Sequence, residues 1–169
     1  MTIYNFAAGP ATLPAEVLQE AQRDLVSWPD VGLSLLEMSH RSKPVVDMID
    51  AAEDDIRSLA GIPENYRILF LQGGASLQFS MVPMNLLTDY GKADHIVTGN
   101  FAKLALLDAQ KVGNVRSAGT TEASNFDRVP SQAELSLDPN ADYVHFTGNN
   151  TIYGTEWVEE PSVGGVPLV

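Results

Sequence analysis

The 169-residue chain contains no cysteine. That absence excludes disulfides, thiolate metal centres and a cysteine nucleophile, and it suits a reducing cytoplasm. Histidine is scarce: His40, His95 and His145 fall on separate segments, a spacing that builds neither a metal cluster nor a Ser/His/Asp arrangement. Positive charge is in deficit, with 10 Lys and Arg against 22 Asp and Glu and a formal net charge of −12. A general nucleic-acid binder needs a basic face, so that class is disfavoured. No apolar run approaches the ~20 residues of a membrane helix. The opening Met1-Thr2-Ile3-Tyr4-Asn5-Phe6 lacks the basic head and apolar stretch of a secretory leader. Repeats and low-complexity tracts are also missing.

What is present belongs to a folded α/β protein. A hydrophobic fraction of 44% and a charged fraction of 19% are those of a globular chain. Pro14 opens a helical pattern with Val17, Leu18, Ala21, Leu25 and Val26 on one face, and Trp28-Pro29-Asp30-Val31-Gly32 reads as the turn that ends it. A second helix is expected after Ser42, with Val45, Val46, Ile49, Ala52, Ile56 and Leu59 on one side and Gly61 and Pro63 as its stop.

The chain then alternates. Strands are expected over residues 67–71, 95–98, 115–118 and 143–147, with helices over about 76–87 and 101–112, Gly113 closing the latter. Strand–helix–strand order points to βαβ units in a mostly parallel sheet. Gly119 to Asn140 is polar and aperiodic, expected to be an irregular connection with one short helix. Val166-Pro167-Leu168-Val169 reads as the opening of another buried strand. Because natural termini usually follow a finished element, the expectation is an α/β domain incomplete at its C-terminus. The expected division is an N-terminal arm over 1–15 and the first part of a larger domain over 16–169. An apolar sheet edge left open in this way would favour aggregation.

In an open parallel sheet ligands bind beyond the carboxyl ends of the strands. Gln72-Gly73-Gly74-Ala75-Ser76 falls there, between an expected strand and a helix. The first amides of a helix point outward unpaired at the positive end of its dipole, so this segment is either a phosphate cup or only a turn. It lacks both the Lys of a Walker loop and the spacing of a dinucleotide fingerprint. Gly99-Asn100-Phe101-Ala102 follows the next strand, where Phe101 either stacks on a flat ring or belongs to the core. Gly148 to Thr155 is dense in small polar groups, as a donor-presenting loop or an ordinary one. Glu37-Met38-Ser39-His40-Arg41-Ser42 carries an arginine able to fork onto a carboxylate or phosphate, with His40 as a second donor or a mere neighbour. His95 and His145 sit within strand patterns and read as structural.

In order along the chain, these segments resemble those of phosphoserine aminotransferases. The resemblance lies in Asn5-Phe6-Ala7-Ala8-Gly9-Pro10-Ala11 with Leu13 to Leu18, in Glu37 to Lys43, in Gly73 to Phe79 running on to Pro83 to Leu87, and in Asn149 to Thr155. It implies a fold-type I pyridoxal-phosphate enzyme of the class-V aminotransferases, cytoplasmic and homodimeric. Such an enzyme moves an amino group between glutamate and 3-phosphohydroxypyruvate in serine biosynthesis, and in many bacteria serves pyridoxine synthesis. By resemblance, Ala75 and Ser76 would meet the cofactor phosphate, Phe101 would lie against its ring, and Thr151 would hydrogen-bond it. Arg41, helped by His40, would bind an anionic group of the substrate at a dimer interface, and Ala8 would line the amino-acid pocket through its backbone.

The sequence departs from the family pattern at three of these places. Phe101 stands where Trp is usual, Leu104 where a lysine is common, and Ser76 where some members carry Arg. The Asp that pairs with the cofactor's pyridine nitrogen and the lysine that holds the cofactor covalently are not found. Lys43, Lys92, Lys103 and Lys111 all lie outside the family's lysine motif, so no catalytic residue is assigned and the isolated chain is expected to lack activity. The alternative is a non-enzymatic product that dimerises with a relative or binds phosphate ligands. A phosphate-binding module of unrelated chemistry would explain the glycine loop but not the other segments.

Overall fold

The computed structural model describes residues 4–7, 9 and 11–169, which form two compact units, Met1–Phe70 and Leu71–Val169. The first unit is helical. Helix α1 (Ala15–Val26) starts behind Pro14, with Glu16 in its first turn and Arg23 in its last, both matching the helix dipole. Its apolar face remains largely exposed, Leu18 at 53% and Val26 at 76%. Helix α2 (Lys43–Ala60) begins after Ser42 with Pro44 in its first turn and ends at Gly61 in the left-handed region, φ 62°. There the Ile62 amide donates to the Arg57 carbonyl at 2.9 Å, the Schellman-type stop that the Gly61 and Pro63 pattern predicts.

The second unit holds the sheet. Helix α3 (Gly74–Leu86) leads to strand β1 (Ala93–Val97), helix α4 (Asn100–Gln110), strand β2 (Val115–Thr120) and strand β3 (Tyr143–His145). The order is β2-β1-β3, with β1 parallel to both neighbours. The chain end extends the sheet beyond β3: Leu168 bridges Val144 in parallel, and the Phe146 amide donates to the Val169 carbonyl at 3.0 Å. Of the buried strand expected to open at 166–169, only this bridge forms, and none of the four residues is buried. A hairpin, β4 (Asn149–Asn150) against β5 (Thr155–Glu156), follows β3.

Two expectations are corrected. Residues 67–71 form no strand; Leu69, Phe70 and Leu71 are 70%, 58% and 53% exposed. An apolar run becomes a strand only when another backbone completes its ladder, and none of the described residues does so here. The connection from Gly119 holds two 3-10 turns, Glu122–Ser124 and Gln132–Glu134, not one short helix. The second is closed by a capping box between Ser131 and Glu134, a signal present in the sequence.

Packing explains why β1 is central. All five of its residues are buried, as a strand flanked on both sides requires. Helix α4 buries only Ala102, Ala105 and Ala109, spaced three and four apart, so a smooth small-residue face lies close to the sheet. Ala93, Ala109, Val115 and Tyr143 form one buried cluster, and Val97, Ala102 and Phe126 another. Asp94, 1% exposed, ties three segments together. It accepts from Arg116 Nε at 2.8 Å on β2 and from the Asp138 amide at 2.6 Å. Removing a buried acceptor leaves its donors unpaired. Asp94→Ala is therefore expected to lower stability by about 2–3 kcal/mol in denaturant titration. The loss is less than for a fully buried pair because Arg116 can turn to water.

His95 and His145 stack with ring centroids 4.5 Å apart, and His95 Nε2 lies 3.3 Å from the Tyr143 hydroxyl. Burial, with the neighbouring His145 ring, holds His95 down at about 3; burial alone holds His145 at about 4. Both are neutral in the folded protein, in keeping with a structural role, although Nδ1 of each has no partner among the described residues. An unfolded histidine binds its proton near pH 6.5. Between that pH and the folded values the unfolded chain carries the extra protons, so stability is full above about pH 6.5 and falls as pH drops. The denaturation midpoint is expected to hold steady from about pH 8 to 7 and to decline from about 6.5 toward 4.5. His145→Gln should shallow that decline. Below it the exposed Glu134, held near 2 by Arg128 and Ser131, adds a loss of the same sign.

Candidate functional site

Strand order locates the site. From β1 the chain crosses through α4 to β2 on one side, whereas β3 is extended on the other side by residues 167–169. Connections leaving β1 and β3 thus diverge, which opens a crevice at their carboxyl ends. A cavity of about 360 Å³ lies there, lined by Ala75, Ser76, Phe79, Phe101, His145, Phe146, Thr147, Asn149 and Thr151. This is the volume range of small-molecule and cofactor sites. A larger cleft of about 500 Å³ involves Leu87, Asp89, Gly113 and Asn114, at the C-terminal ends of α3 and α4. Helix carbonyl ends and Asp89 repel anions, so that cleft is unsuited to a phosphate.

The start of α3 forms one wall. Gly73, at φ 91°, takes the chain into the helix, and a Cβ there would lie 2.5 Å from Leu77 Cβ. Both conditions require glycine. The Leu77 amide donates to the Gly73 carbonyl at 3.3 Å, leaving the amides of Gly74, Ala75 and Ser76 as the open first-turn donors. No side chain among the described residues caps them. With the dipole's positive end and the exposed Ser76 hydroxyl, this is an anion cup.

The opposite side is aromatic and polar. Phe101, in the first turn of α4, is 41% exposed, too open for a core residue and placed to offer a ring face. Thr151 stands on the β4–β5 turn, closed by the Gly154 amide donating to the Asn150 carbonyl at 2.8 Å. His145 enters the lining as a neutral imidazole for the reason given above. Phe146 packs edge-on against Trp157, with centroids 5.9 Å apart.

No lysine lines the cavity. Lys43 pairs with Asp47, Lys92 with Asp138, Lys103 with Glu122 and Lys111 with Asp108. The cavity thus offers open amides and an exposed ring face, and no lysine side chain reaches it.

Four residues singled out in the sequence, Ala75, Ser76, Phe101 and Thr151, share this one cavity. His40 and Arg41 belong to the first unit, both exposed in the turn ahead of α2. The Arg41 amide donates to Ser39 Oγ at 3.2 Å, and the guanidinium makes no hydrogen bond or ion pair among the described residues. Ala8 lies outside the described residues. Phe79 and Asn149 fall within segments that the sequence singles out but are not assigned there as lining residues, and His145, Phe146 and Thr147 are not picked out for the cavity at all. Phe79 had a usable signal, since it falls one turn after Ser76 on the same helix face.

A parallel α/β sheet with open helix amides and an exposed aromatic at its switch point defines a ligand-binding α/β architecture. The chain belongs to the class-V aminotransferase family, whose model matches residues 3–165. It is similar to phosphoserine aminotransferases: 51% identical to that of Laribacter hongkongensis over all 169 residues, which are 47% of the relative. The solved phosphoserine aminotransferase from Bacillus circulans subsp. alkalophilus is 43% identical with a TM-score of 0.91, covering 98% of this chain and 46% of that one. A PLP-bound phosphoserine aminotransferase from Trichomonas vaginalis is 37% identical with a TM-score of 0.90, over 98% and 46%. The chain thus spans about half the length of the curated relatives it matches. The mixed α/β architecture with a mainly parallel sheet agrees with the fold-type I expectation.

Proposed function

We propose that this chain forms the cofactor-phosphate cup and ring wall of a phosphoserine transaminase. The enzyme would move an amino group between glutamate and 3-phosphohydroxypyruvate in serine and pyridoxine biosynthesis, as a cytoplasmic homodimer. The observation that carries this reading is the gathering of Ala75, Ser76, Phe101 and Thr151 around one cavity at the switch point of the sheet. The described residues fit pyridoxal 5'-phosphate: open amides for a dianion, an exposed ring face for a pyridine, a hydroxyl at the rim. In a transaminase that cofactor supplies the electron sink.

The chain's own part is binding and orientation. The amides of Ala75 and Ser76 fix the phosphate, with the Ser76 hydroxyl as a further donor. Phe101 covers one face of the ring and excludes water from it, though with less area than a Trp and no indole donor. Thr151 would offer its hydroxyl to the cofactor at the cavity rim. Arg41 and His40 are assigned to an anionic group of the substrate, because a planar guanidinium with no partner among the described residues suits a carboxylate or phosphate.

Pyridoxal 5'-phosphate is expected to bind the chain saturably at one site, and pyridoxal, which lacks the phosphate, at least about tenfold more weakly. Equal affinities in a fluorescence titration would contradict the cup. Since every lysine is paired away from the cavity, borohydride treatment of the mixture followed by peptide mapping should label no single lysine stoichiometrically. One lysine fully labelled would overturn the assignment of a binding role without covalent attachment.

A further inference from the structure

The segments that carry Phe101 and Thr151 are joined by a buried polar contact that none of the assigned residues makes. Asn150 is 1% exposed and Thr98 0%. Asn150 Nδ2 donates to Thr98 Oγ1 at 3.0 Å, and Thr155 Oγ1 donates to the Thr98 carbonyl at 3.3 Å. Thr98 immediately follows β1, three residues before Phe101. Asn150 immediately precedes Thr151, and its carbonyl accepts the Gly154 amide that closes the turn. The segment leading into α4 and the hairpin are therefore joined at Thr98 by two hydrogen bonds, and the one beside Thr151 comes from the Asn150 carboxamide.

Gly99 records the same contact sterically. Its φ of 169° is extended backbone open to any residue, so conformation does not call for glycine. Space does: a Cβ at 99 would run into Asn150 Oδ1 and lie 2.7 Å from Cγ. Asn150 Oδ1 has no hydrogen-bond partner among the described residues. Burying half an amide unpaired costs about 1–3 kcal/mol, and an apolar side chain would fill the space without that cost. What the amide provides instead is a directional link to Thr98, fixing the spacing between the ring wall and the rim hydroxyl.

We propose that Asn150 is a positioning residue for the cavity, clasping the Phe101-bearing start of α4 to the Thr151-bearing turn through Thr98. This rests on the proposed cofactor site. A clasp acts through the groups it holds, so its effect must be non-additive with theirs.

The test uses the 169-residue chain with the single variants Asn150→Ala, Thr98→Val, Thr98→Ser and Thr151→Ala, and the double variant of Asn150→Ala with Thr151→Ala. Pyridoxal 5'-phosphate is titrated well below each melting transition. Hydrogen exchange is followed without ligand at the Lys103 amide, which donates to Gly99, and at the Gly154 amide, which donates to Asn150. Asn150→Ala and Thr98→Val should each weaken cofactor binding about tenfold, the loss of one well-placed hydrogen bond. Thr98→Ser, which keeps the hydroxyl, should stay within about twofold. Thr151→Ala should weaken the parent chain but add little in the Asn150→Ala background, and both reporter amides should exchange faster together when Asn150 is lost.

Unchanged affinity in Asn150→Ala, or losses that simply add with Thr151→Ala, would overturn the clasp and leave Asn150 a packing residue. If the parent chain does not bind the cofactor at all, the proposed function fails. The exchange data then decide the clasp separately: coupled loosening of Lys103 and Gly154 upholds it, and loosening of one alone overturns it.

Discussion

Ser76→Asp is expected to lower the affinity of the chain for pyridoxal 5'-phosphate by about a hundredfold or more, while leaving the fold intact. The site offers a phosphate no fixed cation, since no lysine or arginine lines the cavity. Its attraction rests on open amides and the positive end of α3. A carboxylate in that first turn satisfies the same donors from within and repels the incoming dianion. Two unit charges 4 Å apart interact by about 4 kcal/mol near a protein surface, ample for the predicted loss. An acidic residue at a helix start is favourable for the helix itself, so the melting temperature should hold or rise slightly. Ser76→Ala is the control and should cost only a few-fold, because it keeps the backbone amide. Titration of the three proteins side by side checks both expectations.

Tyr143→Ala is expected to cost about 3–5 kcal/mol of stability, enough to unfold much of the sheet-bearing unit at room temperature. Tyr143 is fully buried and packs with Ala93, Ala109 and Val115. Its small neighbours cannot close around the cavity that truncation would leave, so the loss should lie toward the upper end. The hydroxyl is a separate matter. Burial, with Asp142 nearby, pushes it up to about 12, so it stays protonated and available to His95 Nε2. Tyr143→Phe keeps the packing and removes that partner, with an expected cost of about 1–2 kcal/mol. Urea denaturation of both variants separates the packing loss from the hydrogen-bond loss.

Most of the second unit was legible in the sequence because its elements announce themselves locally. Gly73-Gly74 before an apolar helix, His95 to Thr98 between polar turns, and Gly113 after α4 each carry their own punctuation. What was not legible depends on partners distant along the chain. Arg67 to Leu71 has the composition of a buried strand, yet composition does not supply the neighbouring backbone that makes one. The segment from Gly148 reads as a polar loop because Asn149-Asn150 and Thr155-Glu156 are too short and too polar to show alternation. Their pairing as β4 and β5 is visible only in three dimensions.

The site divides in the same way. The segments around Ser76 and Phe101 stand out because they follow strands or open helices, where ligand contacts concentrate in such sheets, whereas Ala75 and Thr151 are assigned only through the family resemblance. Asn150 could not be named, since its effect lies in reaching Thr98, 52 residues earlier. His145 read as structural, and its buried stack on His95 agrees. That it also faces the cavity follows from where β3 ends.

We propose that residues of this chain form a phosphate cup and ring wall for pyridoxal 5'-phosphate at the carboxyl ends of β1 and β3. The most direct measurement is to follow backbone amide resonances of the 169-residue chain during titration with pyridoxal 5'-phosphate. Saturable shifts centred on Ala75, Ser76, Phe101 and Thr151 are predicted, and Thr88, Asp89 and Asn114 should stay unchanged. Shifts that never saturate, or that gather at the far cleft or around individual lysines, would contradict it.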